Sequence, residues 1–157
     1  MVAIVDLAGA LVRLDFSDDT RAMHCDEWAA PLHVDPEKVR HVAAQLDQYF
    51  AGQRRQFELV LAPRGSPFLQ RAWRTLAQVA YGTTSTYGAL ARRIAPPSSA
   101  RAVGRANAIN PISIVIPCHR IVAADGGLAG YSAGLRRKTA LLEVEGMARQ
   151  QALFHPD

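Results

Sequence analysis

The chain has 157 residues, of which 49% are apolar and 20% charged, a composition typical of one ordinary globular domain or two small ones. It has no apolar run of the roughly 20 residues that span a bilayer, and its first residues lack the basic segment of a signal peptide. Its two cysteines, Cys25 and Cys118, are too few for a disulfide-stapled miniprotein. We therefore expect a cytoplasmic protein with reduced thiols and no membrane segment.

The charge is distributed unevenly along the chain. Residues 1–63 hold 6 Lys/Arg and 10 Asp/Glu, whereas residues 64–157 hold 12 Lys/Arg and 4 Asp/Glu, and the whole chain carries +4. A basic half beside an acidic half indicates a polyanionic partner for the second half, although an arginine-rich solvated surface would give the same count.

Residues 1–62 predict a small β-rich domain that carries one helix. The loose alternation over residues 1–16 is typical of strands, and residues 57–61 predict another strand. Asp35 followed by Pro36 predicts a helix start, with Asp35 as the cap. The apolar face of that helix is predicted to comprise Val39, Val42, Ala43, Leu46 and Phe50.

Residues 63–157 predict a second, mostly helical domain after a linker at residues 62–67. Ser66, Thr86 and Ser99 each stand where a helix cap is expected, and Trp73 is expected in the core. The helices predicted over 87–94 and 100–109 have a short connection, which indicates a helix-turn-helix. The fold class is therefore α+β, with an N-terminal β-rich domain and a helical, winged-helix-like C-terminal domain.

The helix predicted over 100–109 has two distinct faces. Val103 and Ala106 can face the core, while Arg101 and Arg105 lie on another face among small residues. Small side chains let a helix approach a nucleic-acid groove closely, but they also suit a tightly packed core helix. The local pattern leaves both interpretations open.

A buried strand is predicted over residues 112–116, and it leads directly into Pro117, Cys118, His119 and Arg120. Residues 125–127 predict a turn. A last helix is predicted over residues 136–145, with Leu135 among its apolar contacts and Gly146 as its stop.

Cys118 beside His119 forms a candidate nucleophile site. The thiolate is the reactive form, so the site must favour loss of the proton, which a histidine held by a carboxylate could take. A buried structural cysteine is one alternative, and a thiol hydrolase is another. A zinc site from His24-Cys25 and Cys118-His119 would need adjacent ligands, whose spacing is poor for chelation.

Several motifs in order resemble the O6-alkylguanine-DNA alkyltransferases, also called methylated-DNA–protein-cysteine methyltransferases. The resemblance covers about residues 68–146. It is carried by residues 68–73, 81–82, 86–88, 101–104, 107–120 and 130–132, which include the sequence Pro-Cys-His-Arg at 117–120.

The resemblance implies DNA repair by direct damage reversal. An alkyl group would move irreversibly from O6-alkylguanine in duplex DNA to Cys118, once per molecule and without a cofactor. Because a stacked base is out of reach of a side chain, the nucleotide would be flipped into a pocket. No metal is expected, since the zinc ligands of some animal members are not recognisable here. The alternative is an alkyltransferase-like binding module, but those proteins replace the cysteine that is present here.

The resemblance also implies how the protein meets DNA. The helix-turn-helix would enter the minor groove of double-stranded DNA and bind mainly phosphates, with little sequence preference. Arg101 would fill the space that the flipped base leaves, and the other DNA contacts would come from Ala102, Gly104, Arg105 and Arg120. We expect a monomer and leave cooperative binding along DNA open.

The catalytic roles follow from the same resemblance. Cys118 would attack as a thiolate, His119 would act as its base through a water, and Glu145 would orient His119. Asn110 would support the site by hydrogen bonds, and Tyr87 would give a proton to a ring nitrogen of the base. The pocket would be formed by Pro117, Tyr131 and Ser132. Cys25 is expected to be a structural or incidental thiol.

Overall fold

The computed structural model describes residues 1–18, 32–94 and 96–147, and it has the expected α+β composition. The chain divides into two compact units. The N-terminal unit comprises Met1–Arg64 together with Pro111–Ser113, and the C-terminal unit comprises Gly65–Asn110 and the chain from Ile114 onward. None of the helices in the described ranges is long and apolar enough to cross a membrane. His24 and Cys25 lie outside the described residues.

The N-terminal unit contains the predicted strands. Strands β1 (Val2–Val5) and β2 (Leu11–Asp15) pair antiparallel, with an irregularity in register between Ile4 and Val5. Leu11 and Leu14 on β2 are fully buried. Single bridges join Leu11 to Leu61 and Leu14 to Ile112, so β2 lies at the centre of this unit's core.

Helix α1 (Pro36–Phe50) begins as predicted, because the Asp35 side chain accepts hydrogen bonds from the first turn, including one of 3.1 Å from the Glu37 N–H. Its apolar face differs from the prediction at Ala43, which is exposed, and at the C-terminal end. Tyr49 is fully buried, whereas Phe50 is 46% exposed. Val42, Leu46 and Tyr49 follow the helical period more closely than Phe50 does.

The strand predicted over residues 57–61 is wrong, because only Leu61 makes a ladder-type bridge. The Gln45 side chain instead satisfies the backbone of Glu58. It donates to the Glu58 carbonyl at 3.1 Å and accepts from the Glu58 N–H at 2.8 Å. A side chain of α1 thus replaces the neighbouring strand that the apolar pattern had indicated.

Tyr49 and Phe50 offer a matched test of this packing. The Tyr49 ring contacts Phe50 and Phe57, each with ring centroids 5.4 Å apart. Tyr49→Leu should lower the free energy of unfolding by about 3 kcal/mol, since it removes a buried aromatic ring. Phe50→Leu should cost less than about 1 kcal/mol because that site is partly exposed. Equal losses in urea denaturation would contradict this assignment of the core.

Four α-helices form the described part of the C-terminal unit: α2 (Pro67–Leu76), α3 (Tyr87–Arg93), α4 (Ala100–Ala108) and α5 (Leu135–Val144). The caps Ser66, Thr86 and Ser99 are confirmed, each accepting from a backbone N–H of its first turn. The Trp73 Nε1–H donates to the Ala106 carbonyl at 2.9 Å, so α2 is tied to α4. The expected apolar contact of Leu135 is wrong, since that side chain is 48% exposed.

The strand predicted over residues 112–116 is also wrong. Ile112 makes one bridge, and the next residues form a turn in which Ile114 has φ of 70°. The chain then forms a 3-10 helix (Cys118–Arg120) and strand β4 (Ile121–Val122), which pairs parallel with β3 (Ser85–Thr86). Ile112 and Ile114 are fully buried, so the run is apolar because it is buried and not because it is extended.

Candidate active site

Cys118 is the first residue of the 3-10 helix and is only 2% exposed. The Asn110 Nδ2 donates both to the Ile116 carbonyl at 2.8 Å and to the Cys118 Sγ at 3.1 Å. The Tyr131 hydroxyl lies 3.9 Å from the same sulfur. The amide group of Asn110 therefore links the turn before Cys118 to the Cys118 sulfur.

Burial raises the pKa of the Cys118 thiol, although the Asn110 and Tyr131 hydrogen bonds and the nearby Lys138 charge oppose that effect. The expectation that the site favours an ionised sulfur therefore stays a prediction. Attack as a thiolate requires a group that takes the proton.

His119 is fully buried beside Cys118 and contacts Glu145. Its Nε2 lies 2.8 Å from the Glu145 Oε1, while its Nδ1 is buried and has no hydrogen-bond partner among the described residues. Burial lowers the pKa of His119, and the Glu145 contact opposes that effect. A neutral imidazole in this position donates from Nε2 and keeps the Nδ1 lone pair as an acceptor.

Arg120, which was expected to contact DNA, is only 6% exposed, and its guanidinium faces inward. Its Nε lies 2.9 Å from the Glu145 Oε2, and its Nη2 lies 2.9 Å from Oε1. Its Nη1 donates to the Val79 carbonyl at 2.5 Å, and its guanidinium lies 5.8 Å from the centre of the Tyr81 ring. The residue belongs to the buried network around Glu145.

Glu145 is the C-cap residue of α5, and its carboxylate accepts hydrogen bonds. In addition to His119 and Arg120, the Gly82 N–H donates to its Oε2 at 3.1 Å. Burial alone would raise the pKa of Glu145, but the hydrogen bonds from His119 and Arg120 lower it to about 2. The carboxylate is therefore charged at neutral pH.

A cavity of about 340 Å³ lies between α4 and the loop before α5, within the size range of small-molecule sites. Tyr131 joins it to the nucleophile, since the residue lines the cavity and its hydroxyl approaches the Cys118 sulfur. Pro117 is buried at the start of the 3-10 helix and is not among the lining residues. The lining comprises Tyr87, Gly104, Asn107, Ala108, Gly130, Tyr131 and Ser132.

The expected DNA-contacting residues of α4 lie on its surface side. Arg101 and Arg105 are exposed, whereas Val103 and Ala106 are buried, as the helical spacing predicts. A methyl group at Gly104 would lie 3.8 Å from the Tyr87 ring. That distance is an ordinary van der Waals contact, so the ring could lie equally close to α4 with an alanine at this position.

Asn107 and Lys138 belong to the site but were not assigned a role from the sequence. The Asn107 Nδ2 lies 3.4 Å from the Cys118 carbonyl. Lys138 is fully buried and donates to the Ile121 carbonyl at 2.5 Å and the Ala129 carbonyl at 2.8 Å. Burial lowers its pKa to about 8. Asn107 lies inside a recognised motif, whereas Lys138 follows two arginines and resembles an ordinary surface charge.

Tyr87 stands at the start of α3, and its hydroxyl lies 3.5 Å from the Gly130 carbonyl. Burial and the Cys118 charge raise the pKa of Tyr87, while the hydrogen bond with Asn107 lowers it. The phenol thus faces the cavity as a neutral O–H donor. Across the described ranges, no three His, Cys, Asp or Glu side chains form a group that could hold a metal ion.

The geometry brings together a buried thiol, a buried histidine–glutamate pair, and a cavity beside an exposed basic helix. Two family models match the chain: the ribonuclease-like domain of 6-O-methylguanine DNA methyltransferase over residues 7–63, and the DNA binding domain of the same protein over residues 67–147. The chain belongs to the 6-O-methylguanine DNA methyltransferase family.

Relatives and solved structures agree with this assignment. A methylated-DNA–protein-cysteine methyltransferase of Mycolicibacterium paratuberculosis is 42% identical over 147 residues, covering 92% of this chain and 87% of the relative. One from Mycobacterium tuberculosis is 48% identical over 111 residues, covering 71% and 67%. A crystal structure of Mycobacterium tuberculosis OGT in complex with DNA has a TM-score of 0.79 at 38% identity, covering 94% of this chain and 92% of that one.

Proposed function

We propose that this protein repairs DNA by transferring the alkyl group of O6-alkylguanine in duplex DNA irreversibly to its own Cys118. The observation that carries the proposal is the buried Cys118 beside the His119–Glu145 pair and the cavity, in a chain of this family. The DNA complex of the mycobacterial OGT supports double-stranded DNA as the partner. The protein is thus a single-turnover S-methyltransferase.

The reaction forms a bond from the Cys118 sulfur to the alkyl carbon and breaks the bond from that carbon to the guanine O6. The thiol proton passes to the His119 Nδ1, through a water, because this buried nitrogen has no other partner among the described residues. The leaving guanine gains a proton at a ring nitrogen from Tyr87. His119 releases the proton of the thiol to solvent, and the Tyr87 oxygen regains a proton from solvent. The product is a thioether, which water does not readily cleave, so the protein reacts once.

The base reaches the sulfur only after it leaves the helix stack. The cavity lined by Tyr87, Tyr131 and Ser132 is the site proposed for the flipped base. Arg101 would occupy the space that the base leaves, and Ala102 and Gly104 would let α4 enter the minor groove. Arg105 would add a phosphate contact.

The two units have different proposed roles. Residues 63–157 bind DNA and carry out the transfer, whereas residues 1–62 form a supporting domain; the two family models divide near this boundary. We propose a monomer in the cytoplasm, since the reaction consumes a thiol that must stay reduced until it meets the lesion.

Intact mass spectrometry tests the proposal directly. The protein is incubated with a duplex that contains one O6-methylguanine, and with the same duplex that contains guanine. The modified duplex should add the mass of one methyl group, located on Cys118 by peptide mapping, and the control duplex should add nothing. DNA binding without a gain in mass would favour the alternative function, a damage-binding module.

Arg101→Ala should slow transfer from duplex DNA by about tenfold while leaving reaction with free O6-benzylguanine nearly unchanged, because only the duplex requires a base to be flipped. Arg40→Ala, which changes an exposed arginine of α1, is the control and should leave both rates unchanged. Equal losses with the duplex and the free base would contradict the role of Arg101.

A further inference from the structure

Arg120 has more contacts with Glu145 than His119 does. Two nitrogens of its guanidinium lie 2.9 Å from the two carboxylate oxygens, and a third approaches the Val79 carbonyl. Both partners are buried, with side-chain exposures of 8% for Arg120 and 0% for Glu145. A fork-shaped pair of this kind fixes the orientation of the carboxylate as well as its charge.

The charged side chains around His119 leave no net negative charge for a protonated imidazole to neutralise. Glu145 and Arg120 compensate each other, while the remaining charged group that acts on the imidazole, Lys138, is also a cation. A protonated His119 would add a second buried positive charge to this cluster. It would also carry an N–H at Nδ1, for which the described residues offer no acceptor.

A histidine held by a carboxylate alone would tend to be protonated, because an isolated buried carboxylate stabilises the imidazolium. While it is protonated, such a histidine cannot accept a proton from Cys118. This site differs from such a pair because it also contains Arg120. The positive charge of Arg120 already neutralises the Glu145 carboxylate, which orients the His119 ring.

We infer that Arg120 is a positioning residue that neutralises and orients Glu145, so that His119 rests as a neutral imidazole whose Nδ1 lone pair can receive the Cys118 proton. The use of that lone pair rests on the proposed function. The neutral state of His119 does not, and it can be measured independently of activity. Arg120 acts through Glu145 and touches neither the sulfur nor the cavity lining.

The first test uses the unmodified protein. Two-dimensional NMR of the 15N-labelled imidazoles reports the charge and tautomer of His119, assigned by comparison with His119→Gln. We expect a neutral ring with the proton on Nε2 at pH 7, and a pKa below the usual range of a histidine. An imidazolium at pH 7 would overturn the inference, whether or not the protein transfers methyl groups.

The second test removes the arginine charge. In Arg120→Met the pKa of His119 should rise, since Glu145 then faces the imidazole alone. The acid limb of the pH profile for methyl transfer should move up by about one pH unit, which is about a tenfold loss of rate on that limb. Arg120→Lys keeps the positive charge but loses the fork-shaped contact. The acid limb should therefore move less in Arg120→Lys than in Arg120→Met. Arg40→Met, at an exposed ion pair, is the control and should leave the profile unchanged.

A purely structural role for Arg120 would lower the rate equally at every pH, and that result would overturn the inference. If Arg120→Met does not fold, Arg120→Lys and the imidazole spectrum of the unmodified protein decide the question. If the unmodified protein adds no methyl group to Cys118, the proposed function fails, while the NMR result still decides the charge state of His119.

Discussion

Cys118→Ser should abolish methyl transfer while DNA affinity stays within about threefold, because a serine hydroxyl is far harder to ionise than a thiol. The replacement is small and can keep the hydrogen bond from Asn110, whose amide lies 3.1 Å from the sulfur. The fold and the exposed arginines of α4 should therefore be retained. Transfer is followed by intact mass, and binding by fluorescence anisotropy with a methylated duplex.

Cys25→Ser is the matched control, since it replaces the other cysteine of the chain. It should add one methyl group at the rate of the unmodified protein. Loss of DNA binding together with transfer in Cys118→Ser would mean that the cysteine is structural. Transfer that disappears in Cys25→Ser would mean that Cys118 is not the only cysteine required.

Glu145→Gln should lower the free energy of unfolding by about 3 kcal/mol, because it leaves the buried Arg120 guanidinium without its counter-charge. Methyl transfer should also slow by about a hundredfold, since His119 loses the charged acceptor that orients it and stabilises its protonated form. Urea denaturation and single-turnover kinetics measure the two effects. Glu58→Gln changes an exposed partner 4.0 Å from Arg54 and should cost less than about 0.5 kcal/mol.

The same substitution should change how stability depends on pH. The pKa of Glu145 is lowered from 4.5 to about 2, so the unfolded chain binds its proton at a higher pH than the folded protein does. The stability contributed by this group is therefore complete above about pH 4.5 and is lost as the pH falls towards 2. In Glu145→Gln, the free energy of unfolding should depend less on pH between about pH 4.5 and pH 2. An unchanged acid dependence would show that Glu145 is not the carboxylate responsible.

The helix starts could be predicted from the sequence because they depend on local chemistry. An Asp, Ser or Thr side chain that accepts a first-turn N–H needs only the next two or three residues, and Asp35, Ser66, Thr86 and Ser99 all behave as expected. The same holds for Trp73, whose helical spacing alone placed it in the core.

The predicted strands at 57–61 and 112–116 failed for different reasons, and only at 112–116 does the apolar run report burial and not backbone shape. At the first, the partner of the backbone is the Gln45 side chain, which is distant in sequence. At the second, Ile114 adopts a left-handed conformation that β-branched residues rarely take. No short-range pattern predicts that a surrounding fold will impose such strain.

The sequence likewise predicted only part of the candidate site. The motif around Cys118 indicated which residues to consider, but the direction of each side chain depended on tertiary contacts. Arg120 was expected at the DNA, yet it pairs with Glu145, which lies 25 positions away in sequence. Lys138 follows two arginines and gives no local sign that it is fully buried.

The burial of the Cys118 sulfur also affects how long the protein stays able to react before it meets a lesion. Because each molecule reacts once, a thiol lost to a peroxide, a disulfide or a small electrophile is a molecule removed from repair. A sulfur that is 2% exposed and whose pKa is raised by burial is expected to react slowly with such reagents. Its low reactivity in the absence of DNA therefore preserves the number of lesions that a given supply of protein can correct.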